Sequence, residues 1–273
     1  AVLEGLPGQA ARISQRIFGG STQVDEPEGD AYAALSKAVR ADLAGPDRGM
    51  TVGRILAAVG RAQRERRAVN ILPPADSGYF LHPTVQVDGD VDIGVGTRVW
   101  HFSKLLGPLR IGKGCSFGQN VVVERNVEIG DNVKIQNNVS VYSGVILEDD
   151  VFCGPSMVFT NIGTPRSHYP RKGQYAVTRV GRGASIGANA TVVCGHALGR
   201  YAFVGAGAVV TRDVPDFALV YGNPARVKGW ACYCGARLPL AVDDGVEDGV
   251  CPECSRRYVR EGQKVRLLDE ENS

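Results

Sequence analysis

Apolar residues recur at every sixth position through the middle of the chain. The spacing holds for fourteen consecutive positions over residues 81–159 and resumes over residues 180–210. A second series of small apolar residues lies four positions later, as valine over residues 121–151 and mainly as alanine over residues 184–208. Neither the helical period of about 3.6 nor the strand period of about 2 explains this pattern. A period of six predicts a mainly β solenoid in which each unit forms one short strand and one turn.

The predicted solenoid buries the main apolar series inside a triangular coil. Three units close one coil, and successive coils stack their strands about 4.8 Å apart, which makes a prism about 30 Å tall. Each fully buried aliphatic side chain contributes about 1.5–3 kcal/mol of stability. Glycine often follows the main series, and we expect glycine to serve turns that need left-handed backbone angles. A β-sandwich, the alternative, would alternate with a period of two and leaves the spacing of six unexplained.

The six-residue spacing breaks once, between Phe159 and Val180. These residues are 21 positions apart instead of 6, so about 15 residues are predicted to leave the solenoid as an inserted loop within residues 160–179. Long loops on a compact scaffold often carry function. The loop is basic, which suits an anionic substrate, and a solvated flap is the alternative interpretation. Its basic residues, with one just past its end, are Arg166, Arg171, Lys172, Arg179 and Arg182.

The two ends of the chain lack the six-residue spacing. Residues 1–78 contain two predicted helices, over residues 30–43 and 51–67, the second with its apolar residues on one face. One interpretation of this N-terminal helical segment is that it is the remnant of a fusion. The solenoid is then predicted to cover residues 79–230, and a short tail covers residues 231–273.

The tail carries two pairs of cysteines separated by 16 residues. Four thiolates in two turns are typical of a structural zinc site, with every position of the tetrahedron filled by sulfur. Because so short a segment buries little core of its own, metal binding would supply its folding energy. The first pair is spaced C-x-C rather than the commoner C-x-x-C. The sequence predicts a zinc ribbon whose ligands are Cys232, Cys234, Cys251 and Cys254.

The composition is that of a globular protein and argues against several kinds of partner. The 273 residues carry a formal net charge of +2, which gives no strong attraction to nucleic acid or to an anionic membrane. No apolar run reaches the length of a membrane span, about 18 residues, and no leader pattern opens the chain. The seven cysteines are odd in number and clustered toward the end, unlike a secreted disulfide framework. We therefore expect a cytoplasmic protein.

Four strings in the solenoid carry a more specific signal: SFGQNV, KIQNNVSVY, VFCGPSMVFTN and YAFVGAGAVV. They resemble the hexapeptide-repeat acyltransferases with a left-handed parallel β-helix. Within that family they are most similar to the N-acetyltransferases that act on the 3-amino group of UDP-linked amino-sugar acids, in the biosynthesis of surface polysaccharides such as lipopolysaccharide. The resemblance implies a left-handed coil, acetyl-CoA as co-substrate, a UDP-amino-sugar substrate, and a homotrimer with active sites between chains.

The resemblance also implies where acetyl-CoA binds. In the related acyltransferases a Gly-x-Pro-Ala-Arg segment closes the helix and borders the coenzyme A site, and residues 222–226 match it. Arg226 and Lys228 are then expected to contact the phosphates of coenzyme A. The small residues expected to line the same site are Gly187, Ala188, Gly205 and Ala206.

Polar residues between the apolar positions are the candidates for chemistry. In the implied reaction an amine attacks a thioester carbonyl, and uncharged donors can orient the sugar and stabilise the oxyanion. Asn161 and Asn138 are the predicted catalytic donors. A ladder of asparagines that caps turns is the alternative interpretation of these side chains. The predicted substrate contacts are Gln136, Asn137, His101, Arg166 and Tyr175.

No histidine stands out as a general base. The chain has four, of which His82 is expected to be structural and His196 to be a core residue, while His168 lies in the loop. In the resembling enzymes the departing thiolate or water is thought to take the proton. A γ-type carbonic anhydrase needs three convergent histidines for zinc, and no close pair of histidines exists in the sequence. A non-catalytic sugar-nucleotide-binding solenoid and an O-acetyltransferase acting on another small acceptor remain open alternatives.

Overall fold

The structure, a computed structural model, describes residues 78–171 and 173–268, all within one compact unit. The predicted helices at residues 30–43 and 51–67 lie outside the described residues. The part of the chain that the structure describes consists of strands, turns and loops. None of the described residues belongs to a helix that could cross a membrane.

Short strands follow one another at six-residue intervals along the solenoid, as the apolar spacing predicts. The described strands are β1 Phe80–Leu81, β2 Gln86–Asp88, β3 Val91–Ile93, β4 Arg98–Val99, β5 Lys104–Leu106, β6 Leu109–Ile111, β7 Ser116–Phe117, β8 Val122–Val123, β9 Glu128–Ile129, β10 Lys134–Ile135, β11 Ser140–Val141, β12 Val145–Leu147, β13 Phe152–Cys153, β14 Val158–Phe159, β15 Thr178–Val180, β16 Ser185–Ile186, β17 Thr191–Val192, β18 Ala197–Leu198, β19 Phe203–Val204, β20 Val209–Val210, β21 Ala218–Tyr221, β22 Arg226–Ala231, β23 Arg237–Leu238, β24 Val246–Val250, β25 Arg257–Glu261 and β26 Lys264–Leu267.

Three parallel sheets form the faces of the solenoid. The first runs in the order β1-β4-β7-β10-β13-β16-β19-β21, the second in the order β2-β5-β8-β11-β14-β17-β20, and the third in the order β3-β6-β9-β12-β15-β18. Paired residues are 18 positions apart, as in Ile135 with Cys153 and Lys104 with Val122. Three six-residue units therefore close one coil, and the predicted parallel β-solenoid is confirmed.

The interior of the solenoid is formed by the two apolar series. Main-series side chains over residues 99–210 are at most 3% exposed, and the valines and alanines of the second series are buried between them. Val87, which the spacing predicts to be buried, is instead 37% exposed. Its strand β2 is the first in its sheet and pairs with β5 alone among the described strands. Stacking from one side permits this exposure without requiring it, since Leu81 of β1, also first in its sheet, is 5% exposed.

The left-handed backbone positions lie three residues after the main series rather than directly after it. Positive φ recurs at every sixth residue, as in Asn132 and Asn138, and glycine takes some of these positions, as at Gly144. Asparagine adopts this conformation more readily than most residues. The glycines directly after the main series allow close stacking instead, since a Cβ added to Gly187 would lie 2.5 Å from the backbone nitrogen of Ala206. For these glycines the predicted left-handed angle is wrong, because the constraint is close approach between coils.

The inserted loop leaves the register of the coils intact. Leu147 of β12 pairs with Val180 of β15, and Cys153 of β13 pairs with Ile186 of β16. Both pairs are 33 positions apart, which is 15 more than the regular 18. The extra residues therefore leave the solenoid between β14 and β15, and the next strand resumes the stack.

The C-terminal tail continues the first sheet. After the last coil, β22 turns back antiparallel to β21, and β23 pairs antiparallel with β22. The remaining strands β24, β25 and β26 form a separate antiparallel sheet of three strands. The tail thus consists of a hairpin that extends the solenoid sheet and a small sheet that follows it.

Candidate functional site

Most of the predicted site residues lie where the first and second parallel sheets meet, which we call the first edge. Each coil places one turn there, and backbone hydrogen bonds join successive turns. The N–H of Asn120 donates to the carbonyl of His101 at 2.8 Å, and the N–H of Gly207 donates to the carbonyl of Ala188 at 2.8 Å. The structure therefore brings into one row His101, Gln136, Asn137, Asn138, Gly187, Ala188, Gly205 and Ala206.

Two of these side chains make turn-stabilising contacts. Asn137 Oδ1 accepts a hydrogen bond from the backbone N–H of Gln119 at 2.9 Å. Asn138 has a left-handed backbone, and its Oδ1 accepts from Nδ2 of Asn120 at 3.0 Å, one coil earlier. These contacts form the ladder of turn-capping asparagines that was the alternative interpretation of these side chains. Gln136, in contrast, is half-buried and its side chain makes no hydrogen bond with another described residue.

The N-terminal end of the first edge is aromatic. The rings of His82 and His101 lie with their centroids 3.5 Å apart and their planes tilted by 32°, so the structure brings together histidines of two neighbouring coils. Burial and the neighbouring His101 lower the pKa of His82. His82 Nδ1 also lies 3.0 Å from the hydroxyl of Thr84. Trp100 and Phe102 are exposed beside this pair. These flat side chains form a surface on which a planar group such as a nucleotide base can stack.

The C-terminal end of the first edge carries the two predicted phosphate contacts. A Cβ added to Gly205 would lie 2.9 Å from the Cβ of Tyr221, and Tyr221 pairs with Arg226 across β21 and β22. Arg226 and Lys228 are both exposed and lie two residues apart on β22, where the pairing with β21 shifts register. The row of small residues therefore ends at two cations.

The inserted loop leaves the solenoid where the second and third parallel sheets meet, which we call the second edge. The N–H of Ala176 donates to the carbonyl of Asn161 at 3.0 Å, which closes the base of the loop. Tyr175 lies against Gly144, since a Cβ added to that glycine would lie 3.5 Å from the Cβ of Tyr175. Asn161 is half-buried and Tyr175 is exposed. The closed base positions both side chains at the second edge.

Arg166 lies further out in the loop, beside a shallow cavity. Ile162, Arg166 and Arg171 contribute to the lining of this cavity, whose volume is about 320 Å³. Arg171 donates from Nε to the carbonyl of Thr164 at 3.0 Å, and its guanidinium lies 5.0 Å from the centre of the Tyr169 ring. The two arginines give the cavity a positive potential that suits a phosphate or carboxylate group.

The second edge also carries two pairs of polar side chains, each with a titratable group, that the sequence did not assign to the site. Glu124 accepts hydrogen bonds from the backbone N–H and the hydroxyl of Ser143 at 3.0 and 3.1 Å. His196 Nδ1 lies 3.6 Å from Asp213 Oδ1, and its side chain is 29% exposed. The prediction of a core histidine at position 196 is wrong, because an imidazole is larger than the alanine and valine that fill equivalent positions. The two pairs are 19 and 17 positions apart, close to the 18 of one coil, so each joins neighbouring coils at the second edge.

The structure therefore divides the predicted site between two edges of one chain. Gln136, the small residues and the two cations lie on the first edge, while Asn161, Arg166 and Tyr175 lie on the second edge. The second parallel sheet separates the two edges. Within a single chain the two groups of residues face different sides of the prism.

The four predicted metal ligands come together in the tail. The Sγ atoms of Cys232, Cys234, Cys251 and Cys254 all lie within 4.8 Å of one another. Cys232 lies 3.4 Å from Cys254, and Cys234 lies 3.7 Å from Cys251. Among the residues that the structure describes, no other group of three or more potential ligands converges in this way.

Comparison with known families identifies the repeat. The hexapeptide repeat of succinyl-transferase matches residues 108–143 and 177–212, on either side of the inserted loop. These segments are hexapeptide repeats. The main apolar series of the solenoid passes through both of them.

The curated relatives of this chain include a sugar N-acetyltransferase, as the sequence predicts. A dTDP-3-amino-3,6-dideoxy-α-D-galactopyranose 3-N-acetyltransferase from Aneurinibacillus thermoaerophilus is 54% identical over 81 residues, which are 30% of this chain and 40% of that protein. The bifunctional protein GlmU from Sorangium cellulosum is 32% identical over 169 residues, which are 61% of this chain and 33% of that protein. The matched regions thus span less than half of each of these relatives.

Solved structures similar to this chain include PerB from Caulobacter crescentus in complex with CoA and GDP-perosamine. It is 25% identical, with 64% of this chain and 66% of that chain covered and a TM-score of 0.36. The acetyltransferase domain of PglB from Neisseria gonorrhoeae, in complex with acetyl coenzyme A, is 20% identical, with coverages of 63% and 64% and a TM-score of 0.37.

Proposed function

We propose that this protein transfers the acetyl group of acetyl-CoA to the amino group of a nucleotide-linked amino sugar. The observation that carries the proposal is the 54% identity over 81 residues with a 3-N-acetyltransferase of a dTDP-linked amino sugar. The acceptor in this proposal is a nucleoside diphosphate 3-amino sugar. The UDP-linked sugar acid expected from the sequence is the member of this class that we favour, with surface polysaccharide as the destination and the cytoplasm as the location.

The first edge is the proposed site for acetyl-CoA. Glycine and alanine at positions 187, 188, 205 and 206 leave the backbone accessible, so an extended pantetheine chain can lie close to it. The row ends at Arg226 and Lys228, which are exposed and positively charged, as the phosphates of coenzyme A require. Gln136 lies further toward the N-terminus on the same edge, with side-chain donors that no described residue uses.

The second edge is the proposed source of the acceptor contacts. Arg166 and Tyr175 are the candidates for binding the sugar nucleotide, and Asn161 is the candidate donor to the oxyanion. Because the two edges of one chain are separated by a whole sheet, a complete site needs the second edge of a neighbouring chain. The proposal therefore includes a homotrimer, in which each chain offers its first edge to the inserted loop of the next.

The proposed chemistry is direct attack. The lone pair of the neutral amine forms the new C–N bond to the thioester carbonyl, and the oxyanion accepts a hydrogen bond from the Asn161 side chain. When the tetrahedral intermediate collapses, the C–S bond breaks and coenzyme A leaves as its thiolate. The thiolate or a water molecule then takes the proton from the nitrogen. Preorganised neutral donors stabilise such an intermediate without changing their own protonation.

The direct test is release of free thiol from acetyl-CoA in the presence of UDP-, dTDP- and GDP-linked 3-amino sugars. We expect thiol release only with a 3-amino sugar, together with a product that has gained one acetyl group on nitrogen by mass spectrometry. The matched control is the same sugar nucleotide with a 3-hydroxyl group. Transfer to the hydroxyl would establish an O-acetyltransferase, and tight binding without thiol release would establish a non-catalytic sugar-nucleotide-binding protein. Either result would refute the proposal.

A further inference from the structure

We propose that Cys232, Cys234, Cys251 and Cys254 bind one zinc ion that acts as a cap on the C-terminal end of the solenoid. The cap fixes strand β22, which pairs with the last parallel strand of the first sheet and carries Arg226 and Lys228. The metal and its effect on β22 concern the fold. An effect on acetyl-CoA binding follows only if the proposed transferase function is correct.

The sulfur positions fit a tetrahedral ion. A zinc–sulfur bond of about 2.3 Å places the sulfurs of a tetrahedron about 3.8 Å apart. The separations of 3.4 Å for Cys232 with Cys254 and 3.7 Å for Cys234 with Cys251 are close to that value. Both are far longer than the sulfur–sulfur bond of a disulfide, about 2.0 Å. Because all four sulfurs lie within 4.8 Å of one another, the arrangement is one cluster and not two separate pairs.

The backbone forms two similar turns around the cluster. In the first turn the N–H of Gly235 donates to the carbonyl of Cys232, and the N–H of Cys232 donates to the carbonyl of Ala236. In the second turn the N–H of Ser255 donates to the carbonyl of Cys251, and that of Cys251 donates to the carbonyl of Arg256. The residue after the second cysteine has positive φ in both turns, 92° at Gly235 and 60° at Ser255. The C-x-C pair is therefore the same turn shortened by one residue.

The surroundings of the cluster suit four thiolates around a divalent cation. The hydroxyl of Tyr258 lies 3.0 Å from Cys232 Sγ, and it also accepts from the N–H of Tyr233 at 3.0 Å. The backbone N–H and the guanidinium of Arg256 both face the sulfur of Cys254. The same guanidinium lies 4.5 Å from the centre of the Tyr233 ring. Four thiolates and one zinc ion leave a net charge of about −2, which such outer contacts offset.

The cluster is packed onto the last coil of the solenoid through aromatic rings. Phe217, which precedes β21, lies 5.2 Å from the ring of Tyr201 in the solenoid and 5.5 Å from the ring of Tyr258 beside the cluster. The ring of Tyr233, between the first two ligands, lies 5.0 Å from that of Tyr201. The N–H of Ala231, next to the first ligand, donates to the carbonyl of Phe217 at 2.7 Å. An ion that holds the four sulfurs therefore also holds β22 against the end of the stack.

The test measures metal content and local exchange on the full chain. We expect about one zinc per chain by elemental analysis, and Cys234→Ser to reduce it sharply. The matched control is Cys153→Ala, which changes a buried cysteine of the solenoid core and leaves zinc content unchanged. Cobalt added after chelation should give the absorption of a tetrahedral thiolate complex.

Hydrogen exchange of the wild-type chain then tests the cap. Removal of zinc by a chelator should speed exchange of residues 218–231 by about tenfold or more, while residues 116–159 stay protected, and added zinc should reverse the change. Absence of metal, or iron in place of zinc, would overturn the site. If zinc is present but its removal leaves the exchange of residues 218–231 unchanged, the proposed cap would be overturned. None of these readouts needs enzymatic activity.

A separate measurement joins the cap to the proposed function. If Arg226 and Lys228 bind the phosphates of coenzyme A, the zinc-free chain should show a raised KM for acetyl-CoA, by about threefold to tenfold, with a smaller change in the KM for the acceptor. Failure of this measurement alone, with zinc content and exchange as expected, would contradict the coenzyme A assignment and leave the cap in place. If the KM for acetyl-CoA rises as expected but exchange of residues 218–231 does not change, the cap would be contradicted and the coenzyme A assignment would remain.

Discussion

Asn137 Oδ1 accepts a hydrogen bond of 2.9 Å from the backbone N–H of Gln119, one coil earlier on the first edge. Between the third and first sheets, carboxylates make the same contact. Asp131 Oδ1 accepts from the N–H of Lys113 at 2.7 Å, and Asp149 Oδ1 accepts from the N–H of Asp131 at 2.8 Å. An acceptor oxygen at this position therefore stabilises the turn, and an amide has no advantage there over a carboxylate.

Asn137→Ala and Asn137→Asp separate the turn contact from a substrate contact. We expect the alanine variant to lower the free energy of unfolding by about 1 kcal/mol, because it leaves the Gln119 N–H without its acceptor. The aspartate variant should keep most of the stability, since aspartate makes this contact elsewhere. Denaturant unfolding of both variants checks the stability. An alanine variant as stable as the wild type would contradict the turn role.

Activity of the same two variants tests the predicted substrate role of Asn137. If the amide NH₂ group also contacts the sugar nucleotide, the aspartate variant should raise the KM for the acceptor although it folds normally. Equal kinetics in wild type and Asn137→Asp would remove Asn137 from the substrate site. The neighbouring Gln136→Ala is the matched comparison, because the Gln136 side chain makes no hydrogen bond with another described residue. It should alter kinetics without altering stability.

The coil could be predicted because its pattern is local. A six-residue period fixes which side chains point inward, and the burial of residues 99–210 follows the two apolar series closely. The predictions of burial and of backbone angle were wrong at positions where contacts with the neighbouring coils determine them. Val87 has a stacked coil on one side only among the described strands, and His196 is too large for a position that suits alanine. The close approach at Gly187 likewise depends on Ala206, which lies 19 residues further along.

The site was less predictable than the fold, because its contacts join residues of different coils. His82 and His101 are 19 positions apart and His196 and Asp213 are 17 apart, so the coil period brings each pair near but does not predict the contact between their side chains. The cysteine cluster was easier to predict, since two closely spaced pairs of cysteines indicate two turns directly from the sequence. The first pair departs from the commoner C-x-x-C spacing, but Cys232 and Cys251 each begin a similar turn. The assignment of roles to Asn161 and Gln136 stays a prediction.

Asn161→Ala tests the proposed oxyanion donor. The backbone carbonyl of Asn161, not its side chain, accepts the hydrogen bond from Ala176 that closes the loop, so the substitution leaves this contact in place. We expect turnover to fall by about tenfold to a thousandfold, because loss of one oxyanion donor costs up to about 4 kcal/mol. Thermal unfolding should be nearly unchanged. An unchanged rate at saturating substrate would exclude Asn161 from the mechanism.

Mixed oligomers test whether the site lies between chains. We expect a homotrimer by sedimentation, and Ala188→Trp should block the first edge while Asn161→Ala disables the second. Ala188→Trp alone should be nearly inactive, and Asn161→Ala alone should keep about a tenth of the wild-type rate or less. Trimers assembled from both should regain activity, up to about a quarter of the wild-type value, because about one interface in four then combines two intact edges.

The control for this experiment is a trimer that carries both substitutions on every chain, which should stay inactive. Mixing of the purified variants without dissociation should also give no recovery. A stable monomer at micromolar concentration would contradict the shared site. Mixed trimers without any activity would show that both edges must come from the same chain, and the placement of Asn161 opposite Ala188 would then be wrong.

The pH dependence of the rate tests whether a protein base is needed. In the proposed mechanism only the acceptor amine has to lose a proton before attack, and a sugar amine resembles an α-amino group with a pKa of about 7.7–8.0. The protonated amine has no free lone pair, so the rate should rise as pH increases through that range and then level off. An essential histidine base would add a second acidic limb to the profile near pH ~6.5.

His196 is the histidine to test first, because it lies at the second edge beside Asp213. We expect His196→Ala to keep the shape of the profile, and His101→Ala to raise the KM more than it lowers turnover. A wild-type limb near about 6.5 that disappears, together with nearly all activity, in one of these variants would refute the base-free mechanism and identify that histidine as the general base.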